Sequence, residues 1–339
     1  MMVSVIIPCR NEAEHIEAML TSVLDQQLGN LEIEVIVADG MSDDGTTEKL
    51  TEFCSRHSNV RWIENPHLVV PHGLNRAIRE SRGEVIVRMD AHSVYPQNYI
   101  ARLVEVLMDE NADNTGGVWD THPGANTSMA RSIVFATSSR FGIGNAQYRL
   151  GGSGIDEVDT VPFGCYKREV FDRIGLFDED MVRNQDDELN ARLKRAGGKI
   201  LLVRDVRITY FARPTLSKLN KMFYQYGLFK PLVAKKVGQP ATWRQFVPVA
   251  FVLFNILVPL LGFVNPWFWW IWIAGNLAHV CVGLILGISY ALKSGNAAGI
   301  IQVPLIIYVM HWSYGWGYLV GIVQFIVLRQ STNKVSISR

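Results

Sequence analysis

The sequence is poor in cysteine and in net charge, and both features exclude classes of protein. Its four cysteines form no Cys-x-x-Cys pair, which argues against a zinc site and fits reduced thiols. Lys and Arg number 33 and Asp and Glu number 32, so the net charge gives no sign of a nucleic-acid partner. No internal repeat or low-complexity tract is evident, which argues against a solenoid or a disordered chain.

Charge is almost absent from the last third of the chain. Between residues 245 and 328 the only formal charge is Lys293, whereas the first 212 residues are charged throughout. The uncharged runs 246–264, 267–288 and 300–328 contain 19, 22 and 29 residues. A helix of roughly 20 apolar residues crosses the hydrocarbon core of a bilayer. The pattern therefore predicts a membrane-bound chain with about three transmembrane helices, a multi-pass protein.

The N-terminus carries no pattern typical of a secretory leader. Its apolar stretch is too short, and charged residues follow it too soon. We therefore expect the front of the chain to remain in the cytoplasm, on the inner face of a bacterial-type cytoplasmic membrane. The last run, 300–328, allows either one span or a re-entrant pair, so the sequence leaves open the side on which the C-terminus lies.

Strand and helix patterns alternate through the first 115 residues. Short apolar runs predict strands at 3–8, 32–38, 60–64 and 84–89. Helical periodicity predicts helices at 12–27, 47–57 and 72–82. This alternation is typical of an α/β fold with a mostly parallel sheet covered on both faces. In such sheets the ligand crevice lies beyond the carboxyl ends of the strands.

The pattern is less regular after residue 115. We predict strands at 116–122, 158–163, 199–203 and 206–211, and helices at 167–174 and 184–196. Residues 126–154 are rich in Gly, Ser and Asn and are expected to be irregular. Residues 213–245 place Lys and Arg among aromatic residues, which predicts an amphipathic segment on an anionic leaflet.

Three of the predicted strands each have an acidic residue at or just past the carboxyl end. These acids are Glu12, Asp39 and Asp90. Single acids in such places are ordinary turn residues, but three that meet at one crevice indicate a site. Asp90 and His92 have the spacing that puts two side chains on one face of a strand. A carboxylate suits Mg²⁺, and an imidazole beside it favours Mn²⁺.

Four stretches of the sequence resemble family-2 inverting glycosyltransferases with the GT-A fold, a Rossmann-like arrangement. They are VSVIIPCRNEAEHI, IEVIVADGMSDDGT, VIVRMDAHS and NQDDELNARLKRAGGKI. Further along, RPTLSKLNKMFYQYGLFK and HWSYGWGYLVG resemble membrane-anchored succinoglycan-type exopolysaccharide glucosyltransferases. The resemblance implies a GT-A domain at 1–212, an interface segment at 213–245, a transmembrane region at 246–328 and a tail at 329–339.

The resemblance also implies a nucleotide site. The residues expected to line it are Pro8, Arg10, Asn11, Glu12, Asp39, Asn75 and Asp90. Asp39 would accept a hydrogen bond from the uracil imide, which favours a UDP-sugar donor. Asp90 would be the first acid of the family's Asp-x-Asp metal motif. His92 stands where the family has the second acid, so the resemblance leaves Mn²⁺ and Mg²⁺ open.

For catalysis the resemblance implies a single general base. Asp186 aligns with the Asp of the family's Glu-Asp-x-Glu-Leu element, and Gln185 replaces the preceding Glu. Such a base removes the proton from the acceptor hydroxyl as it attacks the anomeric carbon, and it contributes about 10²–10⁴-fold to the rate. The expected donor and acceptor pocket comprises Gly164, Gln185, Asp187 and Arg213.

Together with this resemblance, the sequence implies transfer of a hexose from a UDP-sugar to an acceptor, a polyprenyl-diphosphate-linked saccharide of a surface glycan. Its partners would be the donor, this acceptor and membrane lipids. One alternative is a processive polysaccharide synthase, although no Gln-x-x-Arg-Trp element lies between 186 and 245. A second is an inactive membrane-anchored nucleotide-binding protein, which His92 and Gln185 suggest because each replaces an acid of the family's motifs.

Overall fold

The chain folds into two compact units. The computed structural model describes residues 1–91, 93–240 and 242–332. The first unit comprises Met1–Asp120 and Gly151–Tyr210. The second comprises Thr121–Leu150 and the chain from Phe211 onward. The sequence assigned residues 121–150 to the catalytic domain, whereas the structure packs them with the C-terminal helices.

One sheet of eight strands forms the centre of the first unit. The strands are β1 (Met2–Cys9), β2 (Glu32–Asp39), β3 (Val60–Glu64), β4 (Val85–Arg88), β5 (Asn114–Pro123), β6 (Ile155–Glu157), β7 (Cys165–Lys167) and β8 (Ile200–Ala212). Their order is β3-β2-β1-β4-β7-β5-β8-β6. Strands β3, β2, β1 and β4 pair in parallel, whereas β7 runs antiparallel to β4 and β5. The predicted α/β class with a mostly parallel sheet is confirmed.

Helices cover this sheet. In chain order they are α1 (Ile16–Leu24), α2 (Thr46–Arg56), α3 (Val70–Glu80) and α4 (Tyr99–Asp109). Two more, α5 (Ser128–Thr137) and α6 (Arg140–Ile143), lie in the second unit, and α7 (Arg168–Ile174) and α8 (Gln185–Arg195) return to the first. The sheet is apolar on both faces, and Ile6, Val35 and Val87 have no exposed surface. The parallel strands are therefore fixed in place, and their carboxyl ends meet at one edge.

The structure differs from the predicted elements in three places. No strand covers 158–163; the chain there is irregular between β6 and β7, since Pro162 cannot donate to a ladder and Phe163 has a φ of 51°. The strands predicted at 199–203 and 206–211 form the single strand β8. Residues 126–154, expected to be irregular, contain α5, whose N-terminus is capped by the Thr127 hydroxyl.

Four long helices make up most of the second unit. They are α9 (Leu216–Val237), α10 (Phe246–Gly262), α11 (Trp267–Ser294) and α12 (Gly299–Gly321), and a π-helical turn at Ile322–Val327 follows. Helix α12 packs against the other three. Its contact with α9 is close, because a Cβ at Gly227 would lie 2.0 Å from the Tyr314 carbonyl oxygen. Only glycine permits this approach of two helix backbones.

Two helical segments in the described part of the chain are long and apolar enough to cross a membrane. They are Trp243–Gly262 and Trp267–Ser294. The third predicted run, 300–328, is divided between α12 and the π-helical turn, and many α12 side chains are buried inside the second unit. Composition alone does not distinguish a buried apolar helix from a lipid-exposed one. The domain limits at 212, 245 and 328 remain predictions.

Candidate active site

Two loops at the carboxyl ends of β1 and β2 hold each other in place. The Asn11 side chain donates to the Asp43 carboxylate at 2.8 Å and accepts from the Asp43 backbone N–H at 3.1 Å. The backbone N–H of Asn11 donates to the Ser42 hydroxyl, and that of Glu12 to the Thr46 hydroxyl. These bonds give residues 11–12 a defined shape at the strand end. The predicted nucleotide residues Asn11 and Glu12 therefore belong to one ordered loop pair.

Pro8, Arg10 and Asp39 lie at the same edge. Pro8 pairs with Ala38 in the ladder between β1 and β2. Gly40 lies against the Arg10 side chain, where a Cβ would approach that of Arg10 to 3.2 Å. Asp39 is only 2% exposed, and its carboxylate accepts hydrogen bonds from Ser42 and Thr47. A carboxylate has about four acceptor positions, so these bonds leave capacity for a nucleobase donor.

Asn75 is engaged within the protein. It is 1% exposed, and its amide nitrogen donates to the Phe177 carbonyl at 2.8 Å and to the Glu179 carboxylate at 2.9 Å. Its amide oxygen accepts from the Phe177 backbone N–H at 2.9 Å. This geometry connects α3 to the segment after α7. The role that it supports is structural, and the predicted nucleotide contact of Asn75 remains a prediction.

Asn75→Ala is expected to lower the free energy of unfolding by about 2–3 kcal/mol, because it leaves the backbone N–H and carbonyl of the buried Phe177 without their partner. Asn98→Ala is the matched control, since Asn98 is exposed and its side chain caps no helix. Denaturant titration of both variants measures the difference. A stable Asn75→Ala protein with weakened nucleotide affinity would instead support the direct contact.

The centre of the site is an arginine between two acids from distant parts of the chain. Arg88, the last residue of β4, donates from Nη2 to Asp90 Oδ1 at 3.0 Å. Its Nη1 donates to Asp186 Oδ1 at the first turn of α8. The Arg88 side chain is 4% exposed, Asp90 is 18% exposed and Asp186 is 22% exposed. The structure thus brings together two of the predicted site residues, which lie 96 positions apart in the sequence.

These groups change one another's pKa. Burial raises the pKa of the Asp186 carboxyl above its ordinary value; the Arg88 guanidinium opposes this effect, and the charge of Asp90 adds to it. Burial alone would lower the pKa of Arg88, but the charges of Asp186 and Asp90 outweigh it and the pKa is raised. Asp186 is therefore a carboxylate with increased basicity beside a permanent cation, which suits a general base.

Aromatic residues support the arginine and Asp90. The Arg88 guanidinium carbon lies 5.5 Å from the centroid of the Phe163 ring. The Tyr99 hydroxyl donates to the Phe163 carbonyl at 2.8 Å, and the Tyr95 hydroxyl accepts from the Asp90 backbone N–H at 2.7 Å. Both tyrosines are buried, so the backbone around the two charged residues has little freedom.

Gly164 allows the chain to pass close to Arg88, Asn114 and Tyr166. A Cβ at Gly164 would lie 2.4 Å from the Asn114 side-chain oxygen and 2.5 Å from the Tyr166 ring. The Gly164 carbonyl accepts from the Arg88 backbone N–H at 3.0 Å. No side chain fits at this position, so residue 164 presents only backbone to its neighbours, and its assignment to the donor and acceptor pocket remains a prediction.

The acids of α8 have different surroundings. Gln185 and Asp187 are half-buried at the first turn beside Asp186. Glu188 is 3% exposed and binds Arg192 through both carboxylate oxygens. Arg192 in turn donates to the backbone carbonyls of residues 174–176, so Glu188 holds α8 to the segment after α7. The Glu188–Arg192 pair is therefore structural.

The described residues provide few protein ligands for a metal. No group of three or more His, Cys, Asp or Glu side chains gathers among them. His92, predicted as a ligand, lies outside the described residues, and Asp90 contributes one partly exposed carboxylate. Mg²⁺ in nucleotide sites typically uses one or two carboxylates and fills its remaining positions with phosphate and water oxygens. The donor set at Asp90 fits that pattern.

Arg213, the remaining pocket prediction, lies in the second unit. It directly follows the end of β8 and is half-buried. Its assignment to the pocket remains a prediction.

Several loop residues of the first unit adopt left-handed backbone conformations. Asn11, Met41, Phe163 and Asn184 have φ values of 55°, 53°, 51° and 60°. Positive φ is unfavourable for residues with a Cβ, particularly a bulky one such as Phe163. Such conformations are concentrated at functional sites, and here they occur in the loop pair, beneath Arg88 and at the N-cap of α8.

Sequence reasoning did not assign a role to Arg88 or to two nearby aromatic residues. Trp119 on β5 and Tyr210 on β8 stack with ring centroids 4.0 Å apart and planes at 14°. Trp119 also lies 6.1 Å from Phe163. Arg88 carried a signal, because a cation in an otherwise apolar buried strand requires a partner. The stacked pair carried no signal, since Trp119 and Tyr210 are distant in sequence.

Comparison with known proteins places the chain in a family. The family described as glycosyl transferase family 2 matches residues 4–175, which include the loop pair and the Arg88–Asp90 part of the site. The chain belongs to glycosyl transferase family 2. It is therefore an enzyme, a glycosyltransferase.

The most informative relatives extend over nearly the whole chain. The succinoglycan biosynthesis protein ExoA of Rhizobium meliloti is 31% identical over 92% of this chain and 93% of its own length. A dolichyl N-acetyl-alpha-D-glucosaminyl phosphate 3-beta-D-2,3-diacetamido-2,3-dideoxy-beta-D-glucuronosyltransferase of Methanococcus voltae is 22% identical over 95% and 97% of the two chains. The similarity includes the apolar C-terminal helices, so both units have counterparts in these relatives.

A solved structure shares the fold. The mannosyltransferase PcManGT of Pyrobaculum calidifontis, in complex with GDP-Man and Mn²⁺, has a TM-score of 0.58 and is 19% identical. The alignment covers 93% of this chain and 87% of that one. The predicted GT-A fold is confirmed.

Proposed function

We propose that this glycosyltransferase transfers a hexose from a UDP-sugar, with inversion at the anomeric carbon, to a polyprenyl-diphosphate-linked saccharide in the assembly of exopolysaccharide or another surface glycan. The observation that carries the proposal is the meeting of Asp90 and Asp186 at Arg88. One acid follows a parallel strand, where nucleotides bind in α/β folds, and the other begins α8. A leaving diphosphate and an attacking hydroxyl need their partners in this proximity.

Asp186 is proposed as the general base. One of its oxygens binds Arg88, and about a fifth of its side chain is exposed and accessible to an acceptor hydroxyl. The raised pKa gives its carboxylate a higher affinity for the proton of that hydroxyl. Gln185 and Asp187, at the same helix turn, are proposed to contact the donor sugar or the acceptor, together with Gly164 and Arg213.

The donor's nucleotide is assigned to the loop pair after β1 and β2. Pro8, Arg10, Asn11 and Glu12 are proposed to surround the nucleoside, and Asp39 to accept the imide hydrogen of uracil. The rigid hydrogen bonding between the two loops supports this assignment, since a preformed loop loses less entropy when a ligand binds.

A divalent metal, Mn²⁺ or Mg²⁺, is proposed to bind Asp90, with His92 as a second candidate ligand. Bound there, it would neutralise charge on the departing diphosphate. The carboxylate at Asp90 is a hard oxygen donor at the strand end, which suits either ion. PcManGT, which shares the fold, was solved in complex with GDP-Man and Mn²⁺.

The composition of the second unit supports the proposed acceptor and location. Residues 121–150 and 211–339 contain no Asp or Glu, yet they carry 14 of the 33 Lys and Arg residues. A cationic unit with two apolar helices suits the anionic cytoplasmic leaflet of a bacterial-type inner membrane. The Methanococcus relative is named for a dolichyl phosphate-linked sugar, and a lipid-linked acceptor at the membrane is consistent with this second unit.

A donor screen tests the proposal. Membranes containing the full chain are incubated with UDP-glucose, UDP-galactose, UDP-N-acetylglucosamine or GDP-mannose, plus Mn²⁺ and a polyprenyl-diphosphate saccharide extract. We expect UDP release with one of the UDP-sugars and transfer of its label to the lipid fraction. Release of GDP alone would contradict the role of Asp39, and binding of UDP without any transfer would indicate an inactive nucleotide-binding protein.

A further inference from the structure

Arg88 is a buried cation in a position that packing alone does not explain. It follows Val85, Ile86 and Val87 in β4, all of which have no exposed surface. The arginine itself is 3% exposed as a residue. Burial of an unpaired charge is costly, so a guanidinium here is stable only with its anionic partners. Those partners are the two acids to which the proposed function gives the base and metal roles.

The geometry of the guanidinium links the two acids. Its two terminal nitrogens bind different carboxylates, Nη1 that of Asp186 and Nη2 that of Asp90. The group is planar with donors in a fixed fork, so it sets the separation and the orientation of both acids at once. Lys has one small cationic centre on a flexible chain and imposes no such relation.

Contacts around Arg88 limit its own movement. The face of the guanidinium lies against the Phe163 ring, and its backbone N–H binds the Gly164 carbonyl. Among the described residues, its Nε has no hydrogen-bond partner. The hydrogen bonds that hold this side chain are therefore its two Nη bonds, one to the proposed base Asp186 and one to the proposed metal ligand Asp90.

We propose that Arg88 is a positioning residue for the transfer reaction: it aims one oxygen of Asp186 at the acceptor and holds that base at a fixed distance from the metal ligand Asp90. This inference rests on the proposed function. It assigns no proton transfer to Arg88, which remains a cation throughout.

Arg88 is expected to favour the transfer reaction but to weaken metal binding. A permanent cation hydrogen-bonded to Asp90 repels a divalent ion at the same carboxylate and competes for its oxygen. Arg88 therefore favours the chemical step while it weakens the affinity for metal. If Arg88 had a purely structural role, its loss would not change the rate of the chemical step and the metal affinity in opposite directions. If it bound the diphosphate, its loss would weaken nucleotide binding.

Arg88→Met removes the guanidinium and keeps an unbranched side chain about as long as the aliphatic part of arginine. We expect kcat to fall by about 10²-fold, the cost typical of a misplaced reacting group, with KM for the donor within about threefold. Calorimetry of Mn²⁺ binding in the presence of UDP is expected to show affinity increased by about tenfold, because the repulsion is removed. Arg88→Lys restores the charge without the fork, and we expect it to recover only part of kcat.

A double-mutant cycle with Asp186→Asn isolates the positioning effect. If Arg88 acts through Asp186, Arg88→Met lowers kcat in the wild-type background and has almost no effect on the residual rate of Asp186→Asn. In Arg88→Met alone, the carboxylates of Asp90 and Asp186 lose the cation between them. The double variant removes the charge of one of these carboxylates. Stoichiometric UDP binding by each variant establishes the folded fraction to which the rates are normalised.

The outcomes distinguish a failure of the role of Arg88 from a failure of the proposed function. Full activity of Arg88→Met in an enzyme that depends on Asp186, or an equal loss in both backgrounds, overturns the role of Arg88 alone. Loss of Mn²⁺ affinity in Arg88→Met also overturns it. Wild-type activity of Asp186→Asn overturns the proposed base, and with it the function on which this inference rests.

Discussion

Asp186→Asn is expected to lower kcat by about 10²–10⁴-fold, because the amide has no basic oxygen to accept the proton of the acceptor hydroxyl. Asn has nearly the size of Asp, and its side-chain oxygen can still accept the hydrogen bond from Arg88. Donor binding is assigned to the loops after β1 and β2, so KM for the donor should change little. Initial rates of UDP release across donor concentrations measure both constants.

The matched control is Asp172→Asn, which changes an exposed acid on α7 that takes no part in the site. It should keep the wild-type kcat. A loss in both variants would point to a general effect of charge or expression. An unchanged kcat in Asp186→Asn would show that another group removes the proton, and Asp187 at the same helix turn would be the first to examine.

The pH dependence provides an independent check on the same base. Burial raises the pKa of Asp186, Arg88 opposes the shift, and the charge of Asp90 adds to it. The base is active only in its ionised form, so kcat should fall as the pH drops through the raised pKa. This acid limb should lie above the ordinary aspartate value of about 4, and it should be absent from the residual rate of Asp186→Asn.

Much of the first unit was predictable because its strands are short apolar runs between turn residues. Strand β3 was predicted with its observed limits, and β1, β2 and β4 within one or two residues. A buried parallel strand must be apolar on both faces, so its sequence is distinctive. The convergence of Asp90 and Asp186 followed from a family resemblance, since nothing local connects two residues so far apart.

The remaining features depend on contacts that have no local pattern. Residues 126–154 look irregular by composition, but α5 is stabilised by its Thr127 cap and by packing on α12. The sequence of α12 carries no formal charge, like those of α10 and most of α11; its burial follows from small residues such as Gly315 and Gly317, which lie against the backbones of neighbouring helices. The partners of Arg88 could not be predicted from the sequence either, because hydrogen bonds between distant residues produce no periodic pattern.

Asp90→Asn is expected to weaken the Mn²⁺-dependent part of UDP binding by about 10–100-fold and to reduce kcat/KM at least as much, because it removes the one described carboxylate assigned to the metal. The amide oxygen can still accept the bond from Arg88 Nη2, so the geometry of the site is retained while its charge changes. UDP binding without metal should be unaffected. Calorimetry with and without Mn²⁺ separates these quantities, and Asp109→Asn, at an exposed position on α4, is the control.

The comparison with Arg88→Met makes this test specific, since the two substitutions should shift Mn²⁺ affinity in opposite directions. Removing the carboxylate takes away an attraction, whereas removing the guanidinium takes away a repulsion. General destabilisation of the site would weaken binding in both variants. If Asp90→Asn binds UDP and Mn²⁺ as tightly as the wild type, Asp90 does not hold the metal, and the leaving diphosphate must be neutralised by cationic side chains instead.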